Sequence, residues 1–428
     1  MTAVDDQRSH EQGSATQQAG DELLANLFFT PEGIADPNPW YHRLRELAPV
    51  HRSATGTIFL TRFHDCHEVL RDNRFGKGEA VPGGVGLPSA DPEAEAYRAE
   101  QLRRSADRPA SMLFLDPPDH TRQRRLVSRA FTPRRVEQLR ARIAELAHRC
   151  VDDLAEAGEG DLLDLVGFPL PVAVIGAMVG VPEADWVRFR SITTRSVAGI
   201  EPTSSVAELQ DADAAMEESW AYFVDLVAER RAHPQDDLLS DLIRVEEEGD
   251  QLSHDEVITV ATLLFAAGFE TTTNLIGNGM GALLRNPGEM ARLWADESLL
   301  PTAVEEVLRW DSPVQFDVRR ALRPAEVVGE PVPPGTTVVT LLGAANRDPD
   351  HFTDPDRFDV GRDEGPPLSF ASGIHHCLGA NLARVEGQEV FRALRDRFRS
   401  IELAGELVQR HRTTLRGYEA VPVRVTPR

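Results

Sequence analysis

The stretch Phe370 to Arg384, FASGIHHCLGANLAR, places one thiol between a turn and a helix, and the remaining chain must fold so as to present it. Ser372, Gly373 and Ile374 read as turn, while Leu378, Leu382, Val385, Val390, Leu394 and Phe398 recur at helical spacing. Cys377 is therefore expected at a helix N-terminus, where unpaired N–H groups and the helix dipole favour a thiolate. Gly379 lets backbone or a flat ligand come close. A thiolate held this way can be a nucleophile, a metal ligand or an inert buried sulfur, and most buried cysteines are structural. Structural zinc needs four ligands, commonly in paired Cys or His spacings, and no second cluster of that kind occurs.

A second stretch breaks local rules. Asp255 to Leu284 reads as one long apolar helix, yet it contains AAGFETTTN from Ala266 to Asn274. Gly268 and three consecutive threonines are poor mid-helix residues, and Glu270 falls among apolar neighbours. Violations inside an otherwise consistent element mark functional sites. A threonine hydroxyl bonded back to the preceding turn is expected to open the helix and leave a groove beside the acid. The bland alternative is a Glu270 that faces water.

Elsewhere the pattern is mostly helical, over Asn38 to Leu47, Val136 to Glu156, Ala184 to Ser196 and Val206 to Ala232. Strand-like text is confined to a hairpin from His51 to Thr61 turning near Thr55-Gly56, to Glu326–Leu342, and to Leu415–Val425. The segment from Gly76 to Pro92 is rich in Gly and Pro and reads as a mobile, lid-like loop. Residues 1–22 are polar and read as a disordered tail ahead of a single domain over 23–428. The 69 acidic against 46 basic residues give a charge of −23, which argues against nucleic acid and anionic membrane surfaces as partners. Three scattered cysteines suit a reducing cytoplasm, and the longest apolar run, Phe168 to Val181, is too short to span a bilayer.

Phe370, Gly373, His375, Cys377, Leu378, Gly379, Leu382, Ala383 and Arg384 match the haem-thiolate signature of the cytochrome P-450 family, which this chain resembles from about Asp36 onward. Ala371 departs from it, standing where the family usually has Gly. Ala267-Gly268-Phe269-Glu270-Thr271 is similar to the family's oxygen-activating motif. The resemblance implies a mainly α fold with small β-sheets, in a single cytochrome P-450 domain. It implies haem b as cofactor with Cys377 as axial iron ligand, and Phe370 and Gly379 beside it. His120 and Arg124, four apart on one helical face, Arg319 and His375 then hold the propionates, with Arg320 as the fallback for Arg319. Glu270 and Thr271 take the catalytic role of proton delivery. Glu306 and Arg309, in isolation a weak surface-pair motif, become a buried structural pair with the segments Asn346 to Pro349 and Phe352 to Arg362. Leu263, Ala266, Ala267 and Gln315 become substrate-lining candidates, together with the Gly76 to Pro92 loop.

By the same resemblance the chain is a monooxygenase that inserts one atom of O2 into a C–H bond or double bond of an apolar small molecule, in secondary-metabolite or antibiotic biosynthesis. No flavin or nicotinamide fingerprint follows a strand, so electrons come from a separate ferredoxin and ferredoxin reductase. The expected protein is a cytoplasmic monomer. Two rivals stand beside this reading. A cysteine hydrolase leaves Glu306, Arg309, His120 and Arg124 without a role, and a non-catalytic haem sensor leaves Glu270 and Thr271 without one.

Overall fold

A computed structural model describes residues 3–78, 91–104, 108–247 and 252–428. Most of the expected lid between Gly76 and Pro92 lies outside the described residues. The organising element is the helix His254–Arg285. Ser253 caps it reciprocally with Glu256, which satisfies two of the amides a helix start leaves unbonded. Arg122, on the helix Asp119–Val127, grips the Glu256 carboxylate at 2.5 and 3.0 Å and ties the two helix starts together.

Apolar residues on all sides of the long helix let other helices surround it. Glycines permit two close approaches: a Cβ at Gly268 would stand 2.7 Å from Ile175 on the helix Pro169–Val179, and one at Gly279 would stand 2.4 Å from Phe391 on the helix Ala380–Arg397. The main core runs through these helices and through Ala380–Arg397, which follows the thiol. Two smaller cores sit under the sheet.

That sheet has five strands in the order Val50–Arg52, Ile58–Leu60, Thr337–Thr340, Asp317–Ala321 and Phe75–Gly76, with one parallel pair, Ile58–Leu60 beside Thr337–Thr340. Its first two strands are the expected hairpin, turning at Gly56 with φ 84°. A second sheet joins Glu159–Asp161, Pro422–Pro427 and Phe398–Leu403. The expected fold class, mainly α with small sheets, is the one observed.

Three expectations differ. The segment read as a disordered tail belongs to a helix, Ala3–Phe29. Leu24, Leu27 and Phe28 anchor it in the core, and Asp21 bonds His51 Nε2 at 2.8 Å and the Ala54 amide at 3.0 Å, so the C-terminal part of this helix docks onto the hairpin. Strands Phe398–Leu403 and Asp317–Ala321 lie outside the text read as strand; their short, partly charged sequences carry a weak period-two signal. The threonine-rich turn stays α-helical throughout. Thr271 Oγ1 donates to Ala267 O at 3.1 Å and Thr272 Oγ1 to Gly268 O at 3.3 Å without opening the helix.

Candidate functional site

Between Val257 and Leu283 of the long helix, every residue is buried except Leu263, Ala266, Ala267, Gly268 and Thr271. Leu263, Ala266, Ala267 and Thr271 share one face by their spacing, while Gly268 lies off it, against Ile175. A helix enclosed everywhere else thus presents one small, mostly apolar, accessible face with a single hydroxyl on it.

The thiol is held by a short chain of bonds. Cys377 N–H donates to Phe370 O at 2.9 Å, and Arg384 stacks 4.6 Å over the Phe370 ring. Arg124 donates to His376 O. Cys377 is open at its surface, yet crowding by protein is the largest influence on its thiol and pushes the pKa up. The Gly379 amide, Arg124 and Arg384 pull it back without reversing the sign. The helix starts at Ala380, three residues beyond the sulfur, so its dipole reaches the thiol weakly. A bound metal ion would deprotonate a ligating thiol at this position outright.

Across the loop lies a group of donors without acceptors. His120 and His375 lie with ring centroids 4.2 Å apart and their planes tilted by 45°, and both His120 nitrogens, His375 Nε2 and Arg319 Nη2 are buried with no hydrogen-bond partner among the described residues. Burial first, then Arg319, Lys77 and His120, push the pKa of His375 down to about 2. Asp317 answers part of this charge, bonding Arg319 Nη1 at 2.6 Å and Lys77 Nζ at 2.7 Å. Buried donors require acceptors, and the excess of positive groups selects acidic ones. The two carboxylates of haem meet that requirement, with a sulfur ligand within the same loop. The residues fit the group.

The Glu306–Arg309 pair supports this loop from below. Arg309 Nε and Nη2 meet the two carboxylate oxygens at 2.6 and 2.8 Å, and both side chains are within 1% of full burial. Glu306 also accepts the Asp359 amide at 2.8 Å and Arg362 Nε at 3.1 Å, while Arg309 Nη1 donates to Asn346 O and Pro355 O. Asn346 passes the constraint on, taking the Leu368 amide at 2.7 Å and donating to Ser369 Oγ at 2.8 Å, just before Phe370. The expected partner segments are therefore the observed ones. Asn346 and Ser369 went unread because each is an ordinary polar residue in sequence.

Gln315 is a correction. Its amide accepts Tyr41 O–H at 2.9 Å and donates to Ser312 O at 2.7 Å, buried at the foot of the helix Asn38–Leu47 rather than on the open face. Ala371, the departure from the family signature, sits at φ 54°, ψ −158°, a region nearly reserved for glycine. Ala371→Gly should therefore raise the unfolding free energy by about 1 kcal/mol, read from the denaturant midpoint; an unchanged midpoint would show that the loop carries no strain.

Fold and site together define a haem-thiolate protein. A family model described as cytochrome P-450 matches residues 206–402. The chain is 41% identical over 409 residues to cytochrome P-450 107B1 of Saccharopolyspora erythraea, covering 93% of this chain and 97% of that one. It is 40% identical to the cytochrome P-450 monooxygenase PikC of Streptomyces venezuelae, over 91% of each chain. Among solved structures, the bacillaene polyketide synthase cytochrome P-450 PksS of Bacillus subtilis superposes with TM-score 0.80 at 34% identity, covering 93% of this chain and 98% of that one. The chain belongs to the cytochrome P-450 family. It is an oxidoreductase that incorporates oxygen, with haem b as its cofactor. Among the described residues no helix is long and apolar enough to cross a membrane.

Proposed function

We propose that this enzyme hydroxylates or epoxidises an apolar small molecule of secondary metabolism, drawing electrons from a ferredoxin and its reductase. The observation that carries the reading is the accessible face of Leu263, Ala266, Ala267 and Thr271 on a helix otherwise enclosed. Small alanines leave room for a bulky substrate, and the apolar lining favours its transfer from water. Likeness to PksS, a cytochrome P-450 of a polyketide synthase, supports a polyketide-like substrate. The three free cysteines agree with a cytoplasmic location.

When bound, haem supplies the oxygen activation; the chain supplies position and protons. Cys377 would hold the iron, and His120, Arg319 and His375 would meet the propionates with the donors they leave unbonded. Arg124 would share that duty with its bond to His376 O. Thr271 Oγ1, tethered through its proton to Ala267 O, keeps its lone pairs free to accept a hydrogen bond on the accessible face, and passes a proton on only by giving up that tether. Glu270 follows it on the buried side as the proton source. The chain's own groups thus define a relay from Glu270 to the accessible face.

Thr271→Ala should leave haem binding intact while slowing product formation by about 10²-fold, with the reducing equivalents appearing as peroxide. Unchanged coupling of electrons to product would contradict the relay. A compound library screened for spectral shifts of the haem-loaded protein tests the substrate class; shifts produced only by polar compounds would overturn it.

A further inference from the structure

Of the 46 lysine and arginine residues in this chain, Lys77 is the only lysine, and its side chain is 12% exposed. We infer that the Lys77 ammonium is a further binding group for the haem carboxylates, alongside His120, Arg319 and His375. The inference rests on the haem assignment above and deepens it; the substrate reading does not enter.

The backbone holds Lys77 from two directions. Phe75–Gly76 pairs antiparallel with Asp317–Ala321, with Gly76 opposite Arg320, so Lys77 emerges beside the strand that carries Arg319. Asp116 fixes the other side. Its carboxylate accepts the Lys77 amide at 2.9 Å and the Gly78 amide at 2.7 Å, and a Cβ on Gly76 would stand 2.3 Å from its Oδ1. Asp116 comes three residues before the helix Asp119–Val127, which carries His120 and Arg124. Lys77 is thus pinned between the two elements that supply the other donors.

Charge then decides what the ammonium is for. Lys77 Nζ donates to Asp317 Oδ1 at 2.7 Å and to Val318 O at 3.2 Å, which uses two of its three N–H bonds. The same Asp317 oxygen takes Arg319 Nη1 at 2.6 Å, while Arg319 Nη2 goes without a partner among the described residues. One carboxylate therefore answers two largely buried cations, and a buried cation short of counter-charge is costly. Burial is the largest influence on Lys77 and lowers its pKa; Asp317 opposes the shift and Arg319 adds to it. A further acid beside the pair would offset both, and haem brings two. An ammonium is a compact charge with rotatable donors, so it can serve Asp317 and a second carboxylate at once.

The test compares protein loaded with haem and with haem dimethyl ester, whose carboxylates are blocked. Loss of each from wild type, Lys77→Met and Lys77→Arg is followed by transfer to excess apomyoglobin. Wild type should lose the ester faster than haem. Lys77→Met should speed the loss of haem by roughly tenfold, the weight of one charge-assisted hydrogen bond, and leave the loss of ester at the wild-type rate. Lys77→Arg, which keeps the charge, should recover most of the difference. An effect of Lys77→Met that is the same on haem and ester would make the lysine structural and overturn the inference, as would no effect on either. Equal loss of haem and ester from wild type would instead remove the whole donor cluster as a carboxylate site, and Lys77 with it. Should Lys77→Met fail to fold, the wild type alone decides. Lysine enriched in carbon-13 gives a single ε-carbon signal in this chain. In the reduced carbon-monoxide form that signal should titrate at higher pH with haem than with the ester, because a carboxylate partner favours the charged ammonium. One titration common to both would overturn the inference.

Discussion

Cys377→Ala is expected to abolish oxygenation and the thiolate-type carbon-monoxide spectrum while leaving the polypeptide folded. The two halves of this result have different causes. Sulfur donates electron density that no alanine can replace, and in this family that donation favours oxygen activation. The fold, by contrast, takes little from the side chain. Cys377 is open at its surface, and the bond it makes to Phe370 O uses the backbone amide, which alanine keeps. Unfolding of the haem-free protein should shift by no more than about 0.5 kcal/mol. Denaturation of haem-free wild type and variant, beside the spectra of both after haem loading, separates the two effects. A retained thiolate spectrum would contradict the assignment of the ligand, and a large loss of stability would make the sulfur structural.

Glu306→Gln should have the opposite signature, failing as a protein before it fails as an enzyme. The substitution leaves Arg309 buried and short of its counter-charge, while Arg362 keeps Glu364. Removing one partner of a buried pair costs about 3–5 kcal/mol, a large part of the 5–15 kcal/mol that typically separates folded from unfolded domains. Asp241 and Arg244 have the same three-residue spacing at 63% and 60% side-chain exposure, where screening by water leaves such a pair worth roughly 0–1 kcal/mol. Asp241→Asn should therefore be nearly silent. Chemical denaturation of both variants checks this, and similar costs at the two sites would mean that burial is not what gives the first pair its weight. Loss of haem should accompany Glu306→Gln, because the constraint runs from Arg309 through Asn346 and Ser369 to Phe370.

The contrast between these pairs shows what a sequence can and cannot display. Spacing alone cannot separate Glu306–Arg309 from Asp241–Arg244; only the resemblance to a known signature did so. Motifs carried on one element were legible, such as the thiol ahead of its helix and the odd AAGFETTTN insert in an apolar one. Leu263, Ala266 and Ala267 were named through the resemblance alone, and the structure leaves all three accessible on a helix otherwise buried. Illegible were the partners that only folding assembles. Arg410 meets Glu270 across 140 residues, and Glu201 meets Thr413 across 212. Neither has a periodic or compositional signal. Gln315 was misread for the same reason, because nothing local announces that Tyr41 will occupy its amide. The first helix was misjudged because its anchors, Leu24, Leu27 and Phe28, come after the polar text, and because Asp21 meets His51 and Ala54 only once the hairpin has folded.

The account stands on sulfur ligation by Cys377, opposite a donor cluster shaped for two carboxylates. The carbon-monoxide difference spectrum of the reduced, haem-loaded wild type reads that ligation directly. A band displaced to the long wavelength typical of thiolate-bound haem is the predicted result. A band of the imidazole-ligated type, or protein that takes up no haem at all, would contradict it.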